Sequence, residues 1–149
     1  MSDSCLLHAS LVAFDDVGVL LLGKSGSGKS DLALRLIENK GAILVADDVV
    51  FVHKTAQKLY GNAPQNIAGK LEIRGVGIIE YPYKTSVEPI LCINLVENIE
   101  KIERMPKERT TLILGLEIPQ IDLYAKENSA PEKVVAVLRC IKQSRGKKI

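Results

Sequence analysis

The chain has 149 residues, 46% hydrophobic and 26% charged, which suits one globular domain with a sizeable core. A net charge of +2 with four Tyr, two Phe and no Trp argues against nucleic acid as partner, since it supplies neither a basic face nor a base-stacking platform. No apolar run reaches the ~18 residues of a membrane helix, "MSDSCLLHAS" lacks the basic start of a signal peptide, and Cys5, Cys92 and Cys140 read as reduced thiols of a cytoplasmic protein.

In chain order, "LLHASLVAF" (Leu6–Phe14) predicts a strand, closed by the charged turn Asp15–Asp16. "GVLLLG" (Gly18–Gly23) is a continuous apolar run, the pattern of a strand buried on both faces. From Ser30, the apolar residues Leu32, Ala33, Leu36 and Ile37 recur at helical spacing, and Gly41 stands where that helix should stop. "AILVADDVVFV" (Ala42–Val52) predicts another strand, interrupted only by Asp47–Asp48. From Leu59 to Tyr83, Gly, Asn and Pro separate short strand-like pieces. Pro89–Val96 and Thr110–Ile118 predict two further strands. Ser129 and Glu132 have capping-box spacing with Pro131 in the first turn. Val134, Val137, Leu138 and Ile141 then form one apolar stripe, as in a terminal helix docked on a core. The basic tail, about 143–149, reads as a frayed, solvated end. No repeat or low-complexity linker is visible, so residues 1–149 are expected to form a single domain.

Between the buried strand and the first helix lies "GKSGSGKS": Gly23, Lys24, Ser25, Gly26, Ser27, Gly28, Lys29 and Ser30. It fits G-x-x-x-x-G-K-[ST]. A random chain of this length matches that pattern about five times in a thousand, and the strand before and helix after reduce the chance further. Glycines leave backbone N–H groups free to close around a phosphate. The helix start adds its positive dipole end. Lys29 would reach β- and γ-phosphates, and Ser30 would offer its hydroxyl to Mg²⁺. The expected ligand is a nucleotide or a similar polyphosphate.

Asp47 and Asp48 follow Ser30 by 17 and 18 residues, one helix and one strand later, which returns the chain to the side of the loop. Two adjacent acids within a strand pattern are costly to bury without a partner, and Mg²⁺ or a substrate hydroxyl would supply one. Alternation along a strand would aim one carboxylate at a reacting hydroxyl and the other at a metal or the loop. An exposed turn is the plainer alternative. "LEIRGVGIIE" (Leu71–Glu80) sets Glu72, Arg74 and Glu80 in an apolar run where Gly75 and Gly77 allow close backbone approach. A bulge with exposed charges would read the same. A lone His8 reads as structural, and Arg104 in "IERMPKER" as one charge on a solvated face.

With the phosphate loop followed closely by "ADD", and with "LEIRGVGII", the chain resembles the catalytic domain of HPr kinase/phosphorylase from roughly Leu6 to Pro119. That bacterial family phosphorylates a serine of a small phosphocarrier protein of the sugar or nitrogen phosphotransferase system, and can reverse the reaction. The resemblance implies an α/β fold: a single P-loop kinase domain with a mixed β-sheet and a phosphoenolpyruvate-carboxykinase-like core. It further implies ATP and Mg²⁺, an HPr-like phosphocarrier as partner, and a homo-hexamer. Asp47 would be the general base with Asp48 beside it on the metal, the reverse order staying open. Glu72 would help Ser30 hold Mg²⁺, His8 would be the active-site histidine, and Arg104 would support transfer.

The chain also departs from long members of that family. It is expected to be a short form without their separate N-terminal domain, and "YPYKTSVE" is brief where they have a substrate-contacting segment. "DLYAKENSAPEK" lacks the Pro-Val-Lys-Pro-Gly-Arg-like run used for dephosphorylation. There Lys126 is followed by Glu127, an acid expected to repel phosphate and favour the forward reaction, unless Lys24 in the loop compensates. A small-molecule kinase would need an arginine-rich lid, which is not seen. A nucleotide-binding regulatory module would not need the Asp pair, His8 and Glu72 together.

Overall fold

The computed structural model describes residues 3–146. Its strands are β1 (Ser4–Leu7), β2 (Ala9–Phe14), β3 (Val17–Leu22), β4 (Ile43–Ala46), β5 (Val50–Thr55), β6 (Lys58–Asn62), β7 (Lys70–Ile73), β8 (Gly77–Glu80), β9 (Glu88–Leu95), β10 (Arg109–Ile113) and β11 (Leu116–Leu123). Its α-helices are α1 (Lys29–Lys40) and α2 (Ala130–Gly146).

Alternating apolar residues on β3 decide the layering. Val19 and Leu21 face the two helices, with Leu32, Leu36, Val134 and Leu138. Leu20 faces the other way, with Leu11, Val50, Val52 and Leu59. All three β3 side chains are fully buried, as the continuous apolar run predicts. β3 lies inside a six-stranded sheet of order β10-β11-β9-β3-β2-β4. β9 runs parallel to both β3 and β11, and the other neighbours are antiparallel, so the sheet is mixed. Helices cover one face and a three-stranded antiparallel sheet, β1-β5-β6, covers the other. The α/β class with a mixed sheet is therefore present as expected. Among the described residues no helix is long and apolar enough to cross a membrane.

Three segments expected as continuous strands are each divided. Leu6–Phe14 breaks at His8, where the chain passes from the small sheet to the large one. Ala42–Val52 breaks at Asp47–Asp48, where it passes back. Asp48 has φ 69°, so the acids sit in a bend rather than within a strand. Thr110–Ile118 is the β10–β11 hairpin, turned by Leu114 (φ 49°) and Gly115 (φ 82°). Positive φ at both central positions is the hairpin geometry that matches strand twist. Hydrophobic pattern missed these breaks because both halves of each segment stay apolar.

The helices follow their sequence signals. Gly41 ends α1 in the left-handed region (φ 77°). On α2, Val134 and Leu138 are buried, and Val137 and Ile141 pack beside them. Glu132 pairs with Lys40 of α1 at 2.9 Å. The supposed frayed tail is helical through Gly146, and Arg145 meets Glu88 at 3.2 Å. Residues 147–149 lie outside the described ones.

Candidate active site

β3 delivers the phosphate loop to the end of the large sheet, and α1 leaves from it at Lys29. Ser27 N–H donates to Lys24 O at 3.0 Å and turns the loop. Gly28 has φ 100°, and a Cβ there would stand 2.9 Å from the Ala125 side chain, so this position needs glycine on two counts. Lys29 is only 5% exposed. Its Nζ donates to the loop's own carbonyls, Gly23 O at 2.8 Å and Lys24 O at 3.2 Å. Ser27 Oγ is buried with no protein partner. Ser25, Gly26, Gly28, Lys29 and Ser30 line a cleft of about 420 Å³. Lys24 does not line it: its Nζ reaches out to Glu97 at 2.8 Å, and that carboxylate raises the lysine's pKa. The extra charge expected inside the loop is thus already engaged outside it.

Asp47 and Asp48 both line the cleft, in contrasting surroundings. Asp47 is 7% exposed. Its Oδ1 accepts from Ser30 Oγ at 2.7 Å and from Ser10 Oγ at 2.8 Å, and its Oδ2 from the Glu72 N–H at 3.4 Å. Ser10 was not singled out from the sequence. It is fully buried, and it also accepts the Asp48 N–H at 3.2 Å. The signal for it was a lone hydroxyl in an apolar strand, two residues after His8. The Asp48 side chain is 63% exposed, and its Oδ1 accepts from His8 Nε2 at 2.7 Å. These two residues are 40 apart in sequence and meet because the two crossings between sheets lie side by side. Leu7 is opposite Val50, Ala9 N–H donates to Asp48 O, and Leu11 is opposite Ala46.

The third wall is the β7–β8 hairpin, held by the fully buried Leu71. It presents Glu72 and Arg74 to the cleft. Glu80 sits opposite Lys70 at the far end of the hairpin and is not among the lining residues. Lys126 lines the cleft, whereas Glu127 turns to Lys133 at 2.8 Å. The acid expected to repel phosphate therefore does not face it. Arg104 is exposed on the long connection between β9 and β10, and it too is absent from the lining. That connection meets the loop through Glu97, which holds Lys24, and not through Arg104.

Among the described residues no three His, Cys, Asp or Glu side chains converge as a closed metal cage. The oxygen set of Ser30, Asp47, Asp48 and Glu72 instead suits Mg²⁺, which keeps waters and phosphate oxygens among its ligands.

Residues 1–148 match the HPr Serine kinase C-terminal domain family. The HPr kinase/phosphorylase of Clostridium tetani (strain Massachusetts / E88) is 39% identical over 111 residues, covering 74% of this chain and 36% of the relative. The protein of that name from Chlorobium limicola (strain DSM 245 / NBRC 103803 / 6330) is 41% identical over 122 residues, covering 80% and 37%. The structure of the Hpr(Ser) kinase/phosphatase from Coxiella burnetii superposes with a TM-score of 0.84 at 30% identity, covering 97% of this chain and 94% of that one. The chain spans about two-fifths of the length of the curated relatives it matches. Its sequence match runs almost from end to end, and its fold brings loop, acid pair and hairpin to one cleft: the chain belongs to the HPr serine kinase C-terminal domain family.

Proposed function

We propose that this chain is a protein serine kinase that transfers the γ-phosphoryl group of ATP, with Mg²⁺, to a serine of an HPr-like phosphocarrier protein in the cytoplasm. The observation that carries this is the division of labour between the two acids. Asp47 holds Ser30 beneath the phosphate loop, while Asp48, backed by His8, stands open in the cleft.

Lys29 is pre-placed on the loop carbonyls and exchanges them for phosphate oxygens. Ser30, Asp47 and Glu72 are the residues that would hold Mg²⁺, as the loop hydroxyl and a strand-end aspartate do in other P-loop enzymes. Mg²⁺ held there would offset the negative charge of the phosphates during transfer. We assign the general base to Asp48, the reverse of the order favoured from sequence. Asp47 already accepts three hydrogen bonds and is nearly closed to solvent. A protein-borne serine can approach Asp48, and His8 Nε2 fixes the carboxylate that takes its proton. Lys126 and Arg74 add positive charge where phosphoryl oxygens would lie. Lys126 also favours the reverse reaction, attack of inorganic phosphate on phosphoserine, because the neighbouring acid is paired away. Arg104 would act only by entering the cleft on substrate binding or from a neighbouring subunit. A homo-hexamer, proposed from the family resemblance, is checked by light scattering against the 16.3 kDa chain mass.

Incubation with γ-labelled ATP, Mg²⁺ and a phosphocarrier protein tests the function. Label on a carrier serine is expected. Label on a small molecule alone would make the chain a small-molecule kinase. ATP bound but never consumed would make it a regulatory module.

A further inference from the structure

Arg35 lies on α1, outside the cleft lining, and no part of the transfer chemistry described above uses it. Its guanidinium donates to three backbone carbonyls of one loop, those of Ala125, Glu127 (2.7 Å) and Asn128 (3.3 Å). Asp31, one turn back on α1, stands 4.0 Å from it. The loop joins β11 to α2 and forms the cleft wall through Ala125 and Lys126. Ala125 is buried against Gly28 of the phosphate loop. Lys126 is exposed into the cleft, and its ammonium has no ion-pair partner among the described residues.

We propose that Arg35 is a positioning residue for phosphate binding: by gathering the carbonyls on either side of position 126, it turns Lys126 toward the phosphates. Residues 125 and 127 direct their carbonyls inward to one planar fork, which leaves residue 126 facing outward, into the cleft. Guanidinium suits this task because it carries five N–H donors in a rigid plane and stays charged. A lysine offers three donors from one point and cannot span the same set of carbonyls. Arg35 and Lys29 share a helix, so the lysine from the phosphate loop and the lysine from the wall are held by one rigid element. This inference rests on the reading of the cleft as a phosphoryl-transfer site.

The test is a double-mutant cycle on equilibrium binding of ATP with Mg²⁺, without acceptor protein. Arg35→Gln should weaken binding roughly tenfold, the low end of what a hydrogen bond to a charged group contributes. In a Lys126→Ala background the same substitution should cost less than about twofold, because the group it positions is gone. Arg35→Lys should fall between parent and Arg35→Gln, and amide exchange at 125–128 should quicken in the same order. Equal losses in both backgrounds would show that Arg35 is only a fold anchor and overturn the proposal. So would unchanged binding by Arg35→Gln while Lys29→Ala loses it. If Lys29→Ala also binds as the parent does, the phosphoryl-transfer reading fails first. Where Arg35→Gln does not fold, Arg35→Lys carries the same comparison.

Discussion

The carboxylate of Asp47 accepts from two serine hydroxyls and a backbone N–H, whereas that of Asp48 accepts from one imidazole and faces solvent. The same substitution should therefore do different things at the two positions. Asp48→Asn should keep ATP binding and lose about 10²–10⁴-fold in transfer, since the amide cannot take a proton. Asp47→Asn turns an NH₂ group toward groups that are themselves donors, at a cost of about 1–3 kcal/mol for a buried mismatch. It should weaken Mg²⁺-dependent ATP binding and lower the melting temperature. Calorimetry and single-turnover transfer on both variants check this, and the opposite pattern would return the base to Asp47. Lys29, Ser30, both acids and Glu72 were legible because contiguous motifs carry them. Ser10 was not, because its partner lies 37 residues away across a sheet crossing. His8 was recognisable only through family likeness, since a histidine on a strand carries no signal until Asp48 is beside it.

Elements with a strong local signal were the readable ones. β3, α1, β9 and α2 each combine apolar periodicity with a stop or start residue, and all four lie where the sequence places them. The β10–β11 turn escaped because leucine occupies a left-handed position where Asn or Gly would have announced it. That hairpin is tied to β9 by Asp122, which accepts from Asn94 and Gln120 at 3.1 Å each and from Arg109 at 2.8 Å. Burial alone would raise the Asp122 pKa, but those two hydrogen bonds and the guanidinium charge override it and hold the value below the ordinary 3.8. A depressed folded value means stability that is fully present above 3.8 and is lost as pH falls through the lowered value. Melting temperatures should thus drop on acidification from about pH 5 to about pH 3 in the parent, and drop less in Asp122→Asn. An identical acid response in the two proteins would show that Asp122 does not couple these strands.

At the scale of the whole molecule, the large sheet presents the phosphate loop and the small sheet leans on its opposite face through Leu59, Val50 and Val52. Shortening Leu59 on β6 removes core contacts far from the loop and should cost about 2–5 kcal/mol of stability. We expect Leu59→Ala to leave ATP affinity within about twofold of the parent and to slow transfer clearly. Affinity falling as much as transfer would mean that the two layers act as one block. The separation is expected because the chain changes sheets at His8 and again at Asp47–Asp48, and His8 meets Asp48 there although only Asp48 lines the cleft. The proposed proton acceptor is thus mounted on a seam, while the loop proposed to hold ATP springs from β3 and α1 and touches that seam only through Asp47. On that proposal a slight slip of one layer over the other would spoil proton removal before it loosened the loop, so the joint would act as an alignment gauge, and an imperfectly assembled molecule would hold its fuel without spending it.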